Sequence, residues 1–122
     1  MLMTLLNPFA EKAKPVSGTR AVELVESGEA ALIDVRELAE LRQSGHARGA
    51  INIPLGALRE RADPRNASCE PSLVRAQAVI VYCATGARSA IAGKLLRKLG
   101  HNEVYDLGSL GNWQAAGGQI ST

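Results

Sequence analysis

The strongest apolar run in the chain is Val79-Ile80-Val81-Tyr82, β-branched or aromatic throughout and without polar alternation. Such a run suits a strand covered on both faces, as in a parallel sheet. Ala30-Ala31-Leu32-Ile33-Asp34-Val35 has the same character. Shorter strands are predicted at Pro15-Val16, at Ala50-Ile51-Asn52-Ile53 before Pro54, and at Glu103-Val104-Tyr105. Between these runs the spacing turns helical. Ser17-Gly18-Thr19 supplies capping chemistry for a helix carrying Ala21, Val22, Leu24 and Val25, which Gly28 stops. Glu37 to Gln43 predicts a short helix ended by Ser44-Gly45. A helix from Ala87 to Leu99 spaces Ile91, Leu95 and Leu99 four apart, which predicts one buried face, and Gly100 terminates it. Gly108 to Ala116 predicts a last helix with Trp113 in the core. Residues 56–76 are patterned weakly: a short helix around Leu58, a turn at Asp63-Pro64 and a helix after Pro71.

Strands thus alternate with helices along the chain, which predicts an α/β domain with a parallel sheet and helices on both faces. No repeat or linker divides it. Residues 1–14 are expected to form a tail or short helix, and residues 15–122 the domain.

Composition narrows the function classes. With 122 residues, 46% of them apolar, the chain can build one core without disulfides or metals. A formal net charge of +2 and 3% aromatic residues give neither a basic patch nor stacking platforms, so no nucleic-acid partner is expected. No apolar run approaches a membrane span, so no membrane partner is expected either. The apolar N-terminal stretch lacks a basic start and is broken by Pro8, unlike a cleaved signal; a cytoplasmic location is expected. Cys69 and Cys83 form no CxxC pair and the two histidines lack zinc-ligand spacing, so no metal site or cofactor is expected.

Chemistry concentrates at Cys83. The strand 79–82 runs straight into Cys83-Ala84-Thr85-Gly86-Ala87-Arg88 and then into a helix. Such a loop lies beyond the carboxyl end of a strand, where open α/β sheets place ligands. It feeds a helix N-terminus, whose free N–H groups favour negative charge. A cysteine there should be a thiolate more readily than usual. Gly86 lets the loop curve with its amides inward, and Arg88 adds a planar cation suited to an oxyanion. A buried structural cysteine is the bland alternative; the loop composition and Arg88 argue against it. A cysteine-dependent phosphatase uses the same parts and stays open at this point.

Four segments resemble the rhodanese domains: Leu32-Ile33-Asp34-Val35-Arg36-Glu37; Gly45-His46-Ala47-Arg48-Gly49-Ala50-Ile51-Asn52-Ile53-Pro54; Val79 to Arg88; and Leu107-Gly108-Ser109-Leu110-Gly111-Asn112-Trp113. The resemblance covers about residues 15–118. It implies a three-layer fold with a five-stranded parallel sheet in the order 3-2-4-5-1, with Asp34 and Cys83 near the same sheet edge. It makes Cys83 the persulfide-forming residue, with Arg88 beside it in the catalytic role, the loop Ala84, Thr85, Gly86, Ala87 and Arg88 cradling the sulfur, and Asp34, Arg36 and His46 as structural support. Relatives acting on phosphate or arsenate carry a loop one residue longer. Four residues separate Cys83 from Arg88, the short form, which favours sulfur. The implied reaction moves sulfur from a small anionic donor such as thiosulfate to a thiol or cyanide, a thiol protein being one form of acceptor. The alternatives are a sulfur-carrier or interaction module fed by a partner protein and, more weakly, the phosphatase. Two departures stand out: Ser109 replaces the second glycine of a common Gly-Gly pair, and Ala47-Arg48 replaces an apolar-Pro pair. Cys69 is read as an unrelated thiol or a resolving one. Arg59, Arg61 and Arg65 are read as solvating a loop or attracting an anion.

Overall fold

A computed structural model describes residues 11–122. The apolar runs become a five-stranded parallel sheet made of β1 (Lys14–Pro15), β2 (Ala30–Asp34), β4 (Ile51–Asn52), β5 (Ala78–Cys83) and β6 (Val104–Ser109). They lie in the order β1-β6-β5-β2-β4. The two predicted apolar runs are central neighbours, in register from Ala30 opposite Ala78 to Asp34 opposite Tyr82. A separate antiparallel ribbon pairs β3 (His46–Ala47) with β7 (Ile120–Ser121). The helices are α1 (Gly18–Glu26), α2 (Leu38–Ser44), α3 (Leu58–Arg61, after a 3-10 turn), α4 (Pro71–Arg75), α5 (Ala87–Lys98) and α6 (Leu110–Ala115).

Every residue of β5 is buried. Successive side chains of a strand point to opposite faces, so this one strand feeds two cores. Val79, Val81 and Cys83 pack with Leu58, Leu73, Ala92, Leu96 and Leu99 from the α3, α4 and α5 side. Ile80 and Tyr82 pack with Ala21, Leu24, Leu110 and Trp113 from α1 and α6. The result is three layers, with the sheet between two helical faces. Full burial of a side chain such as Leu58 or Ile80 contributes about 1.5–3 kcal/mol.

Helix α5 corrects one expectation. Ile91 is 60% exposed, while Ser89, Ala92, Gly93 and Leu96 form the buried face together with Leu99. Small residues face inward because α5 sits close to its neighbours: a Cβ on Gly93 would lie 2.6 Å from the Ala13 Cβ. β6 is longer than expected, reaching Ser109 with a bulge opposite Val81 and Tyr82. β1 begins at Lys14, and Ala13 packs on the α5 side, so those two residues belong to the fold. Of the rest of the expected N-terminal tail, residues 1–10 lie outside the described residues. No helix among the described residues is long and apolar enough to cross a membrane.

Candidate active site

Cys83 is the last residue of β5, opposite Ser109 of β6, and is 1% exposed. The chain leaves the sheet there and turns through Ala84, Thr85 and Gly86 into α5. Gly86 makes the turn possible. Its φ of 107° lies in the left-handed region that side chains disfavour. That turn directs two backbone N–H groups at the sulfur: Gly86 donates to Cys83 Sγ at 3.0 Å and Ser89 at 3.3 Å. Burial pushes the Cys83 thiol up, but the Ser89 and Gly86 amides, the Ser89 hydroxyl and the Thr85 amide outweigh it, and the thiol lies below its ordinary value. The geometry favours a sulfur anion at the N-terminus of a twelve-residue helix.

Ser89, outside the loop as read from sequence, fastens this cradle. Its hydroxyl lies within donating distance of the carbonyls of Gly86 (3.1 Å) and Gly108 (3.3 Å), which share its one proton, so that the loop is tied to β6. The end of β6 is fixed in turn. Asp106 Oδ1 accepts the Gly108 N–H, and Asn112 Nδ2 donates to the Leu107 carbonyl.

Arg88 is placed differently from a free anion-binding fork. Its two terminal nitrogens donate to both carboxylate oxygens of Glu40, at 2.7 and 2.8 Å. Glu40, on α2, also accepts the Glu37 N–H and so closes a capping box at the start of that helix. The Arg88 guanidinium is the main reason the Glu40 carboxyl is pulled down to about 2; the same contact holds Arg88 above its ordinary value. Both side chains are about one-third exposed.

The support residues sit behind α2. Asp34 and Arg36 pair in full burial, with Arg36 NH2 2.7 Å from Asp34 Oδ2. Arg36 also donates to Ser44 Oγ and the Gly45 carbonyl, and so anchors the end of the helix that presents Glu40. Tyr82 donates its hydroxyl to Asp34 and accepts the Ala47 N–H, carrying the brace across to β3. Burial, with the neighbouring Asp34 carboxylate, raises the Tyr82 phenol. Asp34 and Arg36, expected as support, hold the C-terminal end of α2, the helix that carries Glu40. His46 lies in β3, paired with Ser121 of β7. Cys69 is buried, and burial first, then Asp63 and Glu70, pushes its thiol up. Of the three arginines expected to solvate a loop, Arg59 and Arg61 lie in α3; Arg65 pairs with Asp63 and Arg61 with Glu70, and Arg59 is exposed. No cluster of metal-ligating side chains occurs among the described residues.

Sequence reasoning missed Glu40 and Ser89. A glutamate in a capping-box position signals a helix start and says nothing of an arginine 48 residues away. Ser89 reads as an unremarkable helix residue until the bend of the loop turns its amide inward.

Several known proteins are similar to this chain. YqhL of Bacillus subtilis, an uncharacterized protein, is 39% identical over 91 residues, 75% of this chain and 64% of its own length. Thiosulfate sulfurtransferase PspE of Escherichia coli is 38% identical over 78 residues, 64% of this chain and 68% of PspE. YrkF of Bacillus subtilis, named as a candidate sulfur carrier protein, is 31% identical over 62% of this chain, which spans only 36% of YrkF. Among solved structures, RPA3614 of Rhodopseudomonas palustris, described as a "Possible Tyrosine Phosphatase", superposes with a TM-score of 0.77 at 28% identity, over 89% of this chain and 85% of that one. The model of the rhodanese-like domain matches residues 17–116, from the cap of α1 to the end of α6, and the chain belongs to that family.

Proposed function

We propose that the chain is a sulfurtransferase that moves sulfane sulfur from thiosulfate or a related donor to a thiol or cyanide through a persulfide on Cys83. One observation carries this reading: Cys83 Sγ already accepts the Gly86 and Ser89 amides, so the cradle suits an anion centred on sulfur. The Cys83 thiolate attacks the outer sulfur of the donor. The donor S–S bond breaks, and sulfite leaves with the bonding electrons. The outer sulfur stays on Cys83 as a persulfide anion. An acceptor thiolate or cyanide then attacks that sulfur, the persulfide bond breaks, and the Cys83 thiolate returns. Two displacements replace one harder transfer, and neither needs a general base.

Phosphate chemistry is less well supported. A guanidinium fork is a preferred partner of a tetrahedral oxyanion, and Glu40 holds both terminal nitrogens of Arg88. The four-residue loop also has the short form that the family resemblance associates with sulfur. A carrier role is the second reading, favoured by the likeness to YrkF and by the exposed, uncharged rim of Ala84, Thr85 and Ala87. In that role Cys83 accepts sulfur from a protein and turns over small donors slowly. Steady-state turnover with thiosulfate and cyanide, beside Cys83→Ser, separates the readings. Turnover that disappears in the variant supports the enzyme. Undiminished turnover in Cys83→Ser removes the mechanism.

A further inference from the structure

Arg88 is the single cation of the loop from Cys83 to Arg88, and Glu40 neutralises it. Glu37 lies near enough to add negative potential at Arg88. The remaining loop residues are uncharged, and Ala84, Thr85 and Ala87 are exposed. Helix α5 also carries an exposed apolar side chain beside the arginine of the pair: Ile91, one turn after Arg88, is 60% exposed. With Arg88 and Glu40 cancelling, the Cys83 thiolate leaves the loop mouth with a net negative charge. A dianion approaching that thiolate meets repulsion without a free loop cation to offset it. A monoanion of the same reactive type meets less.

We infer that Glu40 is a specificity-determining residue that, by occupying both terminal nitrogens of Arg88, biases the site toward sulfane-sulfur donors of low charge with an apolar substituent and against dianions such as thiosulfate. The inference rests on the persulfide reading above and refines its donor class. Glu40 acts through Arg88 and does not itself touch the reacting sulfur. An organic thiosulfonate carries the favoured combination: one negative charge, an apolar group and a terminal sulfane sulfur. Its outer sulfur would pass to Cys83 as the S–S bond breaks and a sulfinate leaves with the electron pair.

The test compares kcat/KM for methanethiosulfonate and thiosulfate, each corrected by its uncatalysed rate with cyanide, which is also the acceptor. The wild-type ratio should favour methanethiosulfonate. Glu40→Gln frees Arg88 and should shift the ratio toward thiosulfate by roughly tenfold, since a unit charge several ångströms from another has about that effect under partial screening. The shift should appear in KM rather than kcat and shrink at high salt. Glu40→Asp, which keeps the charge, should stay near the wild-type ratio. A purely structural Glu40 would lower both activities together and leave the ratio unmoved. Ala84→Lys places a cation on the exposed rim without touching the ion pair, and should shift the ratio in the same direction even if Glu40→Gln folds poorly. An unchanged ratio in Ala84→Lys and in folded Glu40→Gln overturns the inference and leaves sulfur transfer standing. Failure of both donors to load Cys83 in the wild type overturns the sulfur-transfer reading, and the inference with it.

Discussion

Gly86→Ala is the sharpest test of the sulfur cradle because the structure separates its two costs. A Cβ at Gly86 meets no close neighbour, the nearest atom being the Gly108 Cα at 3.9 Å. The cost is therefore conformational: at a φ of 107° an L side chain is strained by roughly 1–3 kcal/mol. The variant has two responses. If the loop keeps its shape, the strain appears as lost stability, and a domain of this size melts several degrees lower, at about 3–6 °C per kcal/mol. If the loop relaxes, the Gly86 N–H moves away from Cys83 Sγ. A hydrogen bond to a charged group contributes about 1.5–3 kcal/mol, so its loss moves the thiol midpoint up. Alkylation of the Cys83 peptide followed against pH, together with thermal melting, reads both responses. Unchanged melting together with an unchanged alkylation midpoint would show that Gly86 does not shape the cradle, because the loop cannot keep both its shape and the hydrogen bond at no cost.

The support network should be expensive to break. Asp34→Asn leaves Arg36, 3% exposed, without its counter-charge, and should lower stability by about 3–5 kcal/mol in urea unfolding followed by Trp113 fluorescence; a loss under about 1 kcal/mol contradicts the bracing role. The Arg88–Glu40 pair lowers a carboxyl from 4.5 to about 2, so its contribution is fully present above pH 4.5 and is lost as pH falls through about 2. The Glu40 carboxyl resonance should titrate near that lower value, and a midpoint near 4.5 would show that the pair does not form in solution. Cys69→Ser should keep most turnover, and Cys83 should alkylate faster than Cys69 at neutral pH, since burial raises one thiol and amides lower the other. A large loss of turnover would make Cys69 a participant.

What the sequence disclosed and what it concealed divide along the range of the interactions. The buried strand over residues 79–82 is legible because its apolar, β-branched character is local and because a strand covered on both faces needs no polar alternation. Its passage into Cys83, a glycine-bearing loop and a helix is equally local, so the candidate site could be placed before any contact was known. The inward face of α5 was legible only in part. Four-residue spacing picked Leu99, which is buried, and Leu95, which packs on the core, but also Ile91, which is exposed; close packing on Ala13 and the sheet selected Ala92 and Gly93, whose value lies in being small. The pairing of Glu40 with Arg88 depends on how α2 is set against α5, which Arg36 fixes through Ser44 and Gly45. The ribbon of β3 and β7 joins segments more than seventy residues apart with two residues each, too short to carry a pattern.

Sulfur carried on Cys83 is open to direct weighing. Protein incubated with thiosulfate or methanethiosulfonate, freed of donor and digested without reductant, should show the added mass of one sulfur atom on the peptide containing Cys83 and not on the one containing Cys69. Cyanide should remove it, and Cys83→Ser should never acquire it. Absence of that sulfur from Cys83 after exposure to either donor, with phosphate esters hydrolysed at Cys83 instead, would contradict the account.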